Sequence, residues 1–369
     1  MKKIKIILSG GGTGGHIYPA VAVAEALQRR YGERVELLFV GADGRMEMEK
    51  VPALGYKIEG LPIAGLQRRL DWRNIQVPFK LMKSISRAKA IIKRFEADVV
   101  VGFGGYASAP VLWAAQKCGV PTIIQEQNSY AGLTNKILGG KAKYICAAYD
   151  NMDRFFDPQK ILLTGNPLRG NFSQVGKLKS EALEHFGFDD SLPVVLVVGG
   201  SLGTRTLNNM MKRWISSLGG EAPKFQVIWQ TGRYYQTEMT KFLTENPTPH
   251  IWQGAFLERM DYAYGASDIV ISRSGACTIS ELCEVGLPTI FVPSPNVSED
   301  HQTKNARALV DKDAALMVAD KDAVEGCMAM VERCLADKAL MESLSKNIKS
   351  LAAEDAAESI VDVIEKVLK

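Results

Sequence analysis

Short apolar runs alternate along the chain with segments in which apolar residues recur every three or four positions. The short runs are rich in β-branched residues and predict buried strands at 3–8, 35–40, 97–101, 121–125, 193–198, 226–230, 251–253, 268–271 and 289–292. The periodic segments predict amphipathic helices, which we place at 20–30, 181–186, 276–283 and 354–369. Strands and helices that alternate in this way are typical of an α/β fold with parallel sheets.

The length of the chain predicts two such domains, because 369 residues exceed what one ordinary hydrophobic core holds. A run of Gly, Asn and Pro at 165–171 has the composition of a domain boundary. We therefore predict two Rossmann-like, doubly wound domains that face each other across a cleft, the first at 1–165 and the second at 166–345. The segment 346–369 is predicted to end in a helix that packs back across both domains.

Glycine-rich turns follow the strands at 3–8, 97–101 and 193–198. Glycine allows a ligand to approach the backbone closely, and the backbone N–H groups can point towards that ligand. His16 comes directly after the first turn, at the predicted carboxyl edge of the sheet, where α/β folds bind ligands. Since imidazole is suited to proton transfer near neutral pH, we interpret His16 as a catalytic residue rather than as a histidine that only caps or packs a helix.

The segment 268–292 predicts a strand, a turn of small residues, a helix and a second strand. Ser274 is a candidate helix cap, Gly275 lets a ligand reach the first turn, and the open helix N-terminus can hold a phosphate. Glu281 lies about two turns into the helix, within reach of a pair of sugar hydroxyls. An ordinary β-α-β unit whose Ser and Gly are only caps is the alternative interpretation.

Two cofactor motifs occur without the residues that normally accompany them. Gly10, Gly12 and Gly15 match the G-x-G-x-x-G pattern of nicotinamide enzymes, but the strand at 35–40 ends without the acidic residue that binds ribose. Asp-x-Asp occurs at 311–313 and 320–322, and we interpret both as helix caps and surface charge. We therefore predict neither a cofactor nor a metal. The six cysteines form no Cys-x-x-Cys pair and are predicted to be reduced thiols of a cytosolic protein.

Residues 66–95 hold nine basic side chains and one acidic one, with large apolar side chains between them. This composition predicts contact with an anionic membrane surface, for which the candidates are Arg68, Arg69, Trp72, Phe79 and Lys80. The alternative is a solvated helix whose apolar side belongs to the core. A formal net charge of +4 without a recognised binding module argues against nucleic acid. No apolar stretch approaches the roughly 18 residues that a membrane span needs, and the N-terminus reads as a strand rather than a signal peptide.

Seven motifs distributed over the chain belong together. They are Gly-Gly-Thr-Gly-Gly-His at 11–16, Gly-Phe-Gly-Gly-Tyr at 102–106, Glu-Gln-Asn at 126–128, Gly-Leu-Thr-Asn-Lys at 132–136, Gly-Asn-Pro-Leu-Arg at 165–169, Gly-Gly-Ser at 199–201, and Arg-Ser-Gly-Ala at 273–276 with Glu281. In combination they resemble the MurG family of bacterial N-acetylglucosaminyltransferases, which have the GT-B fold. The resemblance spans nearly the whole chain.

The resemblance implies an inverting, metal-independent transfer in peptidoglycan synthesis. N-acetylglucosamine would pass from UDP-N-acetylglucosamine to the C4 hydroxyl of undecaprenyl-diphospho-N-acetylmuramoyl pentapeptide, and the enzyme would be peripheral on the cytoplasmic face of the bacterial cell membrane. The implied partners are the lipid-linked acceptor, an anionic membrane surface and other proteins of cell-wall synthesis.

The resemblance also implies which residues contact the substrates. The donor contacts in the second half would be Ser201, Phe256, Leu257, Arg273, Ser274, Gly275, Ala276, Thr278, Glu281 and Gln302, with Arg169 at the domain boundary. The first half would contribute the substrate-binding residues Thr13, Gly14, Gly15 and Asn128, Tyr106 on the acceptor side, and the catalytic residue His16, with Glu126 as the second candidate for the base. The chain departs from the family at Gln125, where histidine is common, and at Leu202, where glutamine is common.

Two other functions remain open at this point. A UDP-N-acetylglucosamine 2-epimerase uses a similar pair of domains but needs no lipid acceptor. A non-catalytic protein would bind the nucleotide sugar without transferring it.

Overall fold

The computed structural model describes residues 3–63, 77–170, 172, 174–200 and 202–369. The chain forms two compact units, Met1–Arg169 with Ala353–Lys369 and Gly170–Ala352. Each unit contains a parallel sheet with helices between its strands, so the predicted fold class of two Rossmann-like α/β domains is confirmed. The predicted contacts Arg68, Arg69, Trp72 and Ser201 lie outside the described residues.

In the described part of the first unit, seven parallel strands pair in the order β3-β2-β1-β4-β5-β6-β7. The strands are β1 (Ile4–Ser9), β2 (Val35–Ala42), β3 (Ile58–Leu61), β4 (Val99–Gly102), β5 (Thr122–Glu126), β6 (Tyr144–Ala147) and β7 (Ile161–Leu163). The helices are α1 (Gly14–Tyr31), α2 (Glu47–Ala53), α3 (Val77–Phe95), α4 (Gly105–Lys117) and α5 (Leu133–Gly139). The strand order reverses between β1 and β4, and open α/β sheets bind ligands outside such a switch point.

Alternate residues of β1 face the two sides of this sheet, which explains why the strand is apolar throughout. Ile6 and Leu8 pack in a cluster with α1, whereas Ile7 packs in a cluster with α3 and α4. Helix α3 is exposed over residues 78–83, where Phe79 is 72% exposed, and it is buried along one face from Ser84 onwards, where Ile91 is in the core. No helix in the described part of the chain has both the length and the apolarity to cross a membrane.

In the described part of the second unit, six parallel strands pair in the order β10-β9-β8-β11-β12-β13. The strands are β8 (Val194–Val198), β9 (Gln226–Gln230), β10 (Ile251–Gly254), β11 (Ile269–Ser272), β12 (Thr289–Phe291) and β13 (Leu316–Met317). The helices are α6 (Lys179–Phe186), α7 (Arg205–Ser217), α8 (Gln236–Glu245), α9 (Met260–Ala266), α10 (Ala276–Val285), α11 (His301–Val310), α12 (Ala323–Ala336) and α13 (Lys338–Ser350). The order reverses between β8 and β11, so this unit also has a switch point.

The last two helices belong to different units. Helix α13 buries Ile348 in the second unit, whereas α14 (Ala356–Leu368) buries Ile360 in the core of the first unit, against α1. Arg30 of α1 adds an ion pair of 2.6 Å between its Nη2 and Oε2 of Glu358 on α14. The apolar face of α14 is therefore part of the first unit.

Candidate active site

A cavity of about 900 Å³ opens at the carboxyl edge of the second sheet, and we call it the second-unit cavity. Its lining comes mainly from the turns after β8, β10, β11 and β12 and from Asp320 after β13, so segments distant in sequence meet at the switch point. Ligand sites of α/β proteins usually occupy such a position. The predicted donor contacts that line it are Phe256, Leu257, Arg273, Gly275, Thr278, Glu281 and Gln302. Ser274 and Ala276 were also predicted as contacts but do not line it.

Two helices, α7 and α10, begin at this cavity. The turn before α7 brings bare backbone to the cavity wall, because Gly203 has φ of +80° and a Cβ there would collide with the carbonyl oxygen of Thr231. Helix α10 follows Gly275, which lines the cavity and occupies the N-cap position. Helix N-termini carry a partial positive charge and unpaired N–H groups, so both can attract a phosphate.

Ser274 does not cap α10 as predicted, because Gly275 occupies that position and no side chain caps the helix. The Ser274 side chain is fully buried, and its hydroxyl donates to the carbonyl oxygen of Gln302 at 2.8 Å. Gln302 is also held at its side chain, where Oε1 accepts the N–H of Ser294 at 2.8 Å. Ser274 therefore connects the turn before α10 to α11, while its neighbours Arg273 and Gly275 line the cavity.

Glu281 is a carboxylate on the wall of the second-unit cavity. Its Oε2 accepts a hydrogen bond of 2.8 Å from the hydroxyl of Tyr264. Burial raises the pKa of Glu281 to about 7, with a smaller contribution from the charge of Glu284, while the hydrogen bond from Tyr264 opposes the shift. Its protonation therefore changes near neutral pH.

Arg273 and Asp320 form an ion pair in the cavity wall, with 2.6 Å between Nη1 and Oδ1. The same Nη1 donates to the carbonyl oxygens of Val292 at 2.7 Å and Pro293 at 3.0 Å. The interpretation of Asp320 as surface charge was wrong, because it follows the two-residue strand β13 and is partly buried at the cavity. Across the described residues, no cluster of three or more His, Cys, Asp or Glu is placed to hold a metal ion.

A second group of predicted residues lies in the first unit, where two glycine turns meet. They are residues 10–15 after β1 and 102–105 at the end of β4, and we call them the first-unit glycine turns. Gly105 has φ of +77°, and a Cβ there would collide with the carbonyl oxygen of Gly11. The two turns therefore pack backbone against backbone, as only glycine permits.

His16 lies in the first turn of α1, beside both glycine turns. Its Nδ1 is 3.1 Å from the carbonyl oxygen of Gly11 and 3.1 Å from Oγ1 of Thr13. A carbonyl oxygen can only accept, so the contact with Gly11 requires a proton on Nδ1 and leaves the lone pair of the neutral ring on Nε2. A Cβ on Gly104 would lie 3.3 Å from that Nε2. In this tautomer Nε2 is the atom that can take a proton.

Glu126 is almost fully buried at the end of β5, and both of its oxygens are occupied. Oε1 accepts from the N–H of Asn128 at 3.1 Å and from its Nδ2 at 3.3 Å. Oε2 accepts from the N–H of Gly132 at 2.9 Å and from Nδ2 of Asn135 at 2.7 Å. Burial raises the pKa of Glu126, and these hydrogen bonds oppose the shift. The geometry is that of a group that orders the loop after β5.

Glu47 is a residue that the sequence analysis missed. Its carboxylate is fully buried and accepts the N–H groups of Gly12 and Ala42, each at 3.1 Å. The N–H of Gly12, predicted to point towards a ligand, is therefore bound inside the protein. The residue type does not indicate burial, and the position of Glu47 soon after β2 is the one sequence feature that points to it.

Gln125, the first departure from the family, belongs to a buried network of amides. Its Nε2 donates to Oδ1 of Asn166 at 2.9 Å, and Nδ2 of Asn166 donates to the carbonyl oxygen of Gln127 at 3.0 Å. Nε2 of Gln127 donates to the carbonyl oxygen of Phe103 at 2.6 Å. The network links β5 to the glycine turn at 102–105 through amide groups rather than an imidazole.

The remaining predicted residues are distributed over both units. Thr13, Gly14, Gly15 and Asn128 belong to the first unit. Tyr106, half-buried in the first turn of α4, lies beside Gly12, and burial raises its pKa. Arg169 ends the first unit, with its Nε 3.9 Å from Oε1 of Glu25. Phe79 and Lys80 are exposed on α3, and the second departure, Leu202, is exposed at the second-unit cavity.

Two family models match most of the chain. Residues 6–147 match the glycosyltransferase family 28 N-terminal domain, and residues 194–360 match the glycosyltransferase family 28 C-terminal domain. Among solved structures, the chain resembles MurG of Acinetobacter baumannii with a TM-score of 0.78 and 28% identity, covering 98% of this chain and 99% of that one. A UDP-GlcNAc 2-epimerase from Neisseria meningitidis has a TM-score of 0.68 at 15% identity, covering 98% of this chain and 100% of that one, a likeness that shows the fold alone.

Two curated relatives share about half of their residues with this chain over its full length. The relative from Parabacteroides distasonis is 50% identical, with 100% of this chain and 99% of the relative covered. The relative from Flavobacterium psychrophilum is 47% identical, with the same coverage. Both are named UDP-N-acetylglucosamine–N-acetylmuramyl-(pentapeptide) pyrophosphoryl-undecaprenol N-acetylglucosamine transferase. The chain therefore belongs to glycosyltransferase family 28.

Proposed function

We propose that this protein is an N-acetylglucosaminyltransferase that uses UDP-N-acetylglucosamine and a lipid-linked muramyl pentapeptide. The observation that carries the proposal is 50% identity over the full chain to a relative with that name. The second-unit cavity supports it, because it combines two helix N-termini with a carboxylate, as a nucleoside diphosphate sugar requires.

The donor is proposed to bind in the second-unit cavity. Phe256 and Leu257 would offer backbone groups to uracil, and Glu281 would accept hydrogen bonds from the ribose hydroxyls. The diphosphate would lie at the N-termini of α7 and α10, where the helix dipoles stabilise negative charge. This stabilisation makes a metal-independent transfer feasible.

The acceptor is proposed to bind at the first-unit glycine turns. Its C4 hydroxyl attacks the anomeric carbon as the bond from that carbon to the diphosphate breaks, so the configuration is inverted and UDP leaves with the electron pair. His16 Nε2 takes the hydroxyl proton, because Nδ1 carries its proton towards Gly11. Glu126 is assigned a positioning role, since both of its oxygens already accept hydrogen bonds.

A transfer assay tests this proposal directly. With radiolabelled UDP-N-acetylglucosamine and a short-chain lipid-linked muramyl pentapeptide, we expect a labelled lipid product and continued transfer in the presence of EDTA. UDP-N-acetylmannosamine formed from the donor alone would instead indicate a 2-epimerase. UDP binding with neither product would indicate a non-catalytic protein.

We also propose that the protein is peripheral on the cytoplasmic face of the membrane, and residues 78–83 of α3 support contact with a membrane surface. Phe79 and Met82 are 72% and 69% exposed there, and Lys80 beside them is exposed as well. Exposed apolar side chains next to basic ones suit an anionic bilayer, because the first enter the interface and the second pair with headgroups. The core interpretation of this segment applies to the helix from Ser84 onwards.

Removing the two apolar side chains should weaken vesicle binding. We expect Phe79→Ser with Met82→Ser to lower the partition coefficient onto phosphatidylglycerol vesicles by at least about tenfold, since burying one large apolar side chain is worth about 1.5 to 3 kcal/mol. Vesicle sedimentation measures this. Tyr234→Ser is the matched control, because Tyr234 is 77% exposed in the second unit. Unchanged sedimentation of the double variant would contradict the membrane proposal.

A further inference from the structure

Tyr264 is a buried tyrosine beside the second-unit cavity. The residue is only 1% exposed, yet it contributes to the cavity lining, and its hydroxyl donates to Oε2 of Glu281 at 2.8 Å. A buried phenol requires a hydrogen-bond partner, and here that partner is the carboxylate proposed to bind the nucleoside. The hydrogen bond engages one oxygen of Glu281 and restricts the rotation of the carboxylate.

We propose that Tyr264 is a positioning residue for the nucleotide, which it serves by holding Glu281 in the orientation that receives the two ribose hydroxyls. This inference rests on the proposed function and adds a residue that touches the nucleotide only through Glu281. A carboxylate that is already oriented loses less side-chain entropy when the ligand binds, so the same contact gives tighter binding.

The ring of Tyr264 is itself held in place by the start of the second unit. The ring of Phe172 packs against it nearly edge to face, with centroids 5.6 Å apart and an interplanar angle of 79°. The N–H of Phe172 donates to Oε1 of Glu284 at 3.1 Å. Glu284 lies one turn after Glu281 on α10. Phe172 therefore contacts both the ring of Tyr264 and the helix that carries Glu281. The phenol therefore has little freedom to leave Glu281.

The electrostatics of the pair predict how nucleotide affinity depends on pH. Glu281 must be ionised to accept two hydroxyl hydrogens, and burial raises its pKa to about 7, so affinity should rise with pH through that value. The hydrogen bond from Tyr264 favours the ionised form, and its loss should therefore move the midpoint upwards. Among the described residues, the other titratable and charged groups around Glu281 or in the cavity wall are Cys277, Glu284, Arg205, Tyr235, Arg273 and Asp320.

The test is Tyr264→Phe, assayed by calorimetric titration with UDP between pH 5.5 and 9. We expect the Kd for UDP at pH 7 to rise by at least about fivefold, because hydrogen bonds to charged groups are among the stronger ones, and the midpoint of the pH profile to rise. Affinity should stay below that of the unchanged protein even at the highest pH, because Glu281 is then ionised but no longer held in one orientation. Tyr262→Phe is the matched control, since Tyr262 lies on the same helix but its hydroxyl donates to Glu181 at 3.2 Å.

A second ligand separates positioning from a general loss of structure. UDP lacking both ribose hydroxyls should bind the unchanged protein more weakly than UDP does, and Tyr264→Phe should reduce that difference. An unchanged midpoint, or an undiminished difference between the two ligands, would overturn the inference. If Tyr264→Phe did not fold, Phe172→Leu would carry the test, because loss of the ring contact should raise the same midpoint by less; no shift there would also overturn it.

The titration needs no acceptor, so its outcome is distinct from that of the transfer assay. A shifted midpoint without any sugar transfer would support Tyr264 and overturn the proposed function. Sugar transfer with an unshifted midpoint would support the proposed function and overturn the role of Tyr264.

Discussion

Replacing His16 with alanine is expected to lower kcat by about 100-fold to 10,000-fold, the range that loss of a general base usually covers. The contact between Nδ1 and the carbonyl oxygen of Gly11 at 3.1 Å places the lone pair on Nε2, and alanine removes that lone pair. The thermal midpoint should change little, because His16 is partly exposed and its removal opens no enclosed cavity. Steady-state kinetics with both substrates, beside a thermal melt, measure the two effects.

The control for this variant is a histidine away from both sites. His250→Asn suits this purpose, because His250 is exposed with φ of +62° and asparagine tolerates that backbone conformation. His16→Asn keeps a polar side chain near Gly11 but cannot take the proton, so it should be about as inactive as His16→Ala. If His16→Ala reduced kcat by less than about tenfold, His16 would not be the base.

Replacing Glu126 with glutamine is expected to destabilise the first unit by at least about 2 kcal/mol. Each carboxylate oxygen now accepts hydrogen bonds from two donors, and the NH₂ group of glutamine would face two of these four donors without accepting from them. Each buried unsatisfied donor costs about 1 to 3 kcal/mol. The four donors belong to Asn128, Gly132 and Asn135, so the loop after β5 should loosen first. Denaturant unfolding, followed by hydrogen exchange of the loop amides, measures both effects.

His16→Ala should therefore lower kcat with little loss of stability, whereas Glu126→Gln should lower the stability of the first unit. Glu49→Gln is the control for Glu126→Gln, since Glu49 is exposed in the same unit. A Glu126→Gln protein of full stability that had lost 100-fold in kcat would make Glu126 the base instead, consistent with the pKa that burial raises.

The long strands and the glycine turns could be predicted from sequence because their signals are local. A run such as the one in β8 is apolar and β-branched over all five residues, which marks a strand with both faces buried. Strand β13 has only two residues and gives no such run, so Asp320 after it was interpreted as surface charge. A short strand is recognisable only when its neighbour is in place, here β12 through the pairing of Phe291 with Met317.

The roles of the polar side chains were harder to predict, because they depend on partners far away in sequence. Ser274 has the residue type and position of a helix cap, yet it donates to Gln302 on α11, a residue that only folding brings near. Glu47 is charged and looks like a surface residue, but it binds the N–H of Gly12 inside the protein. Tyr264 shows no sequence signal at all for its contact with Glu281.

The sequence by itself determined the two α/β sheets, the positions of their glycine turns and the family, because apolar periodicity, glycine and motif spacing are written in neighbouring residues. Only the tertiary structure decided which candidates share the second-unit cavity and which carboxylates are already engaged. It placed Glu281 beside Tyr264, and it surrounded Glu126 with four hydrogen-bond donors. The reason is physical: the proton affinity and orientation of a side chain depend on its burial and on the donors around it, and parallel strands bring those together from segments tens of residues apart.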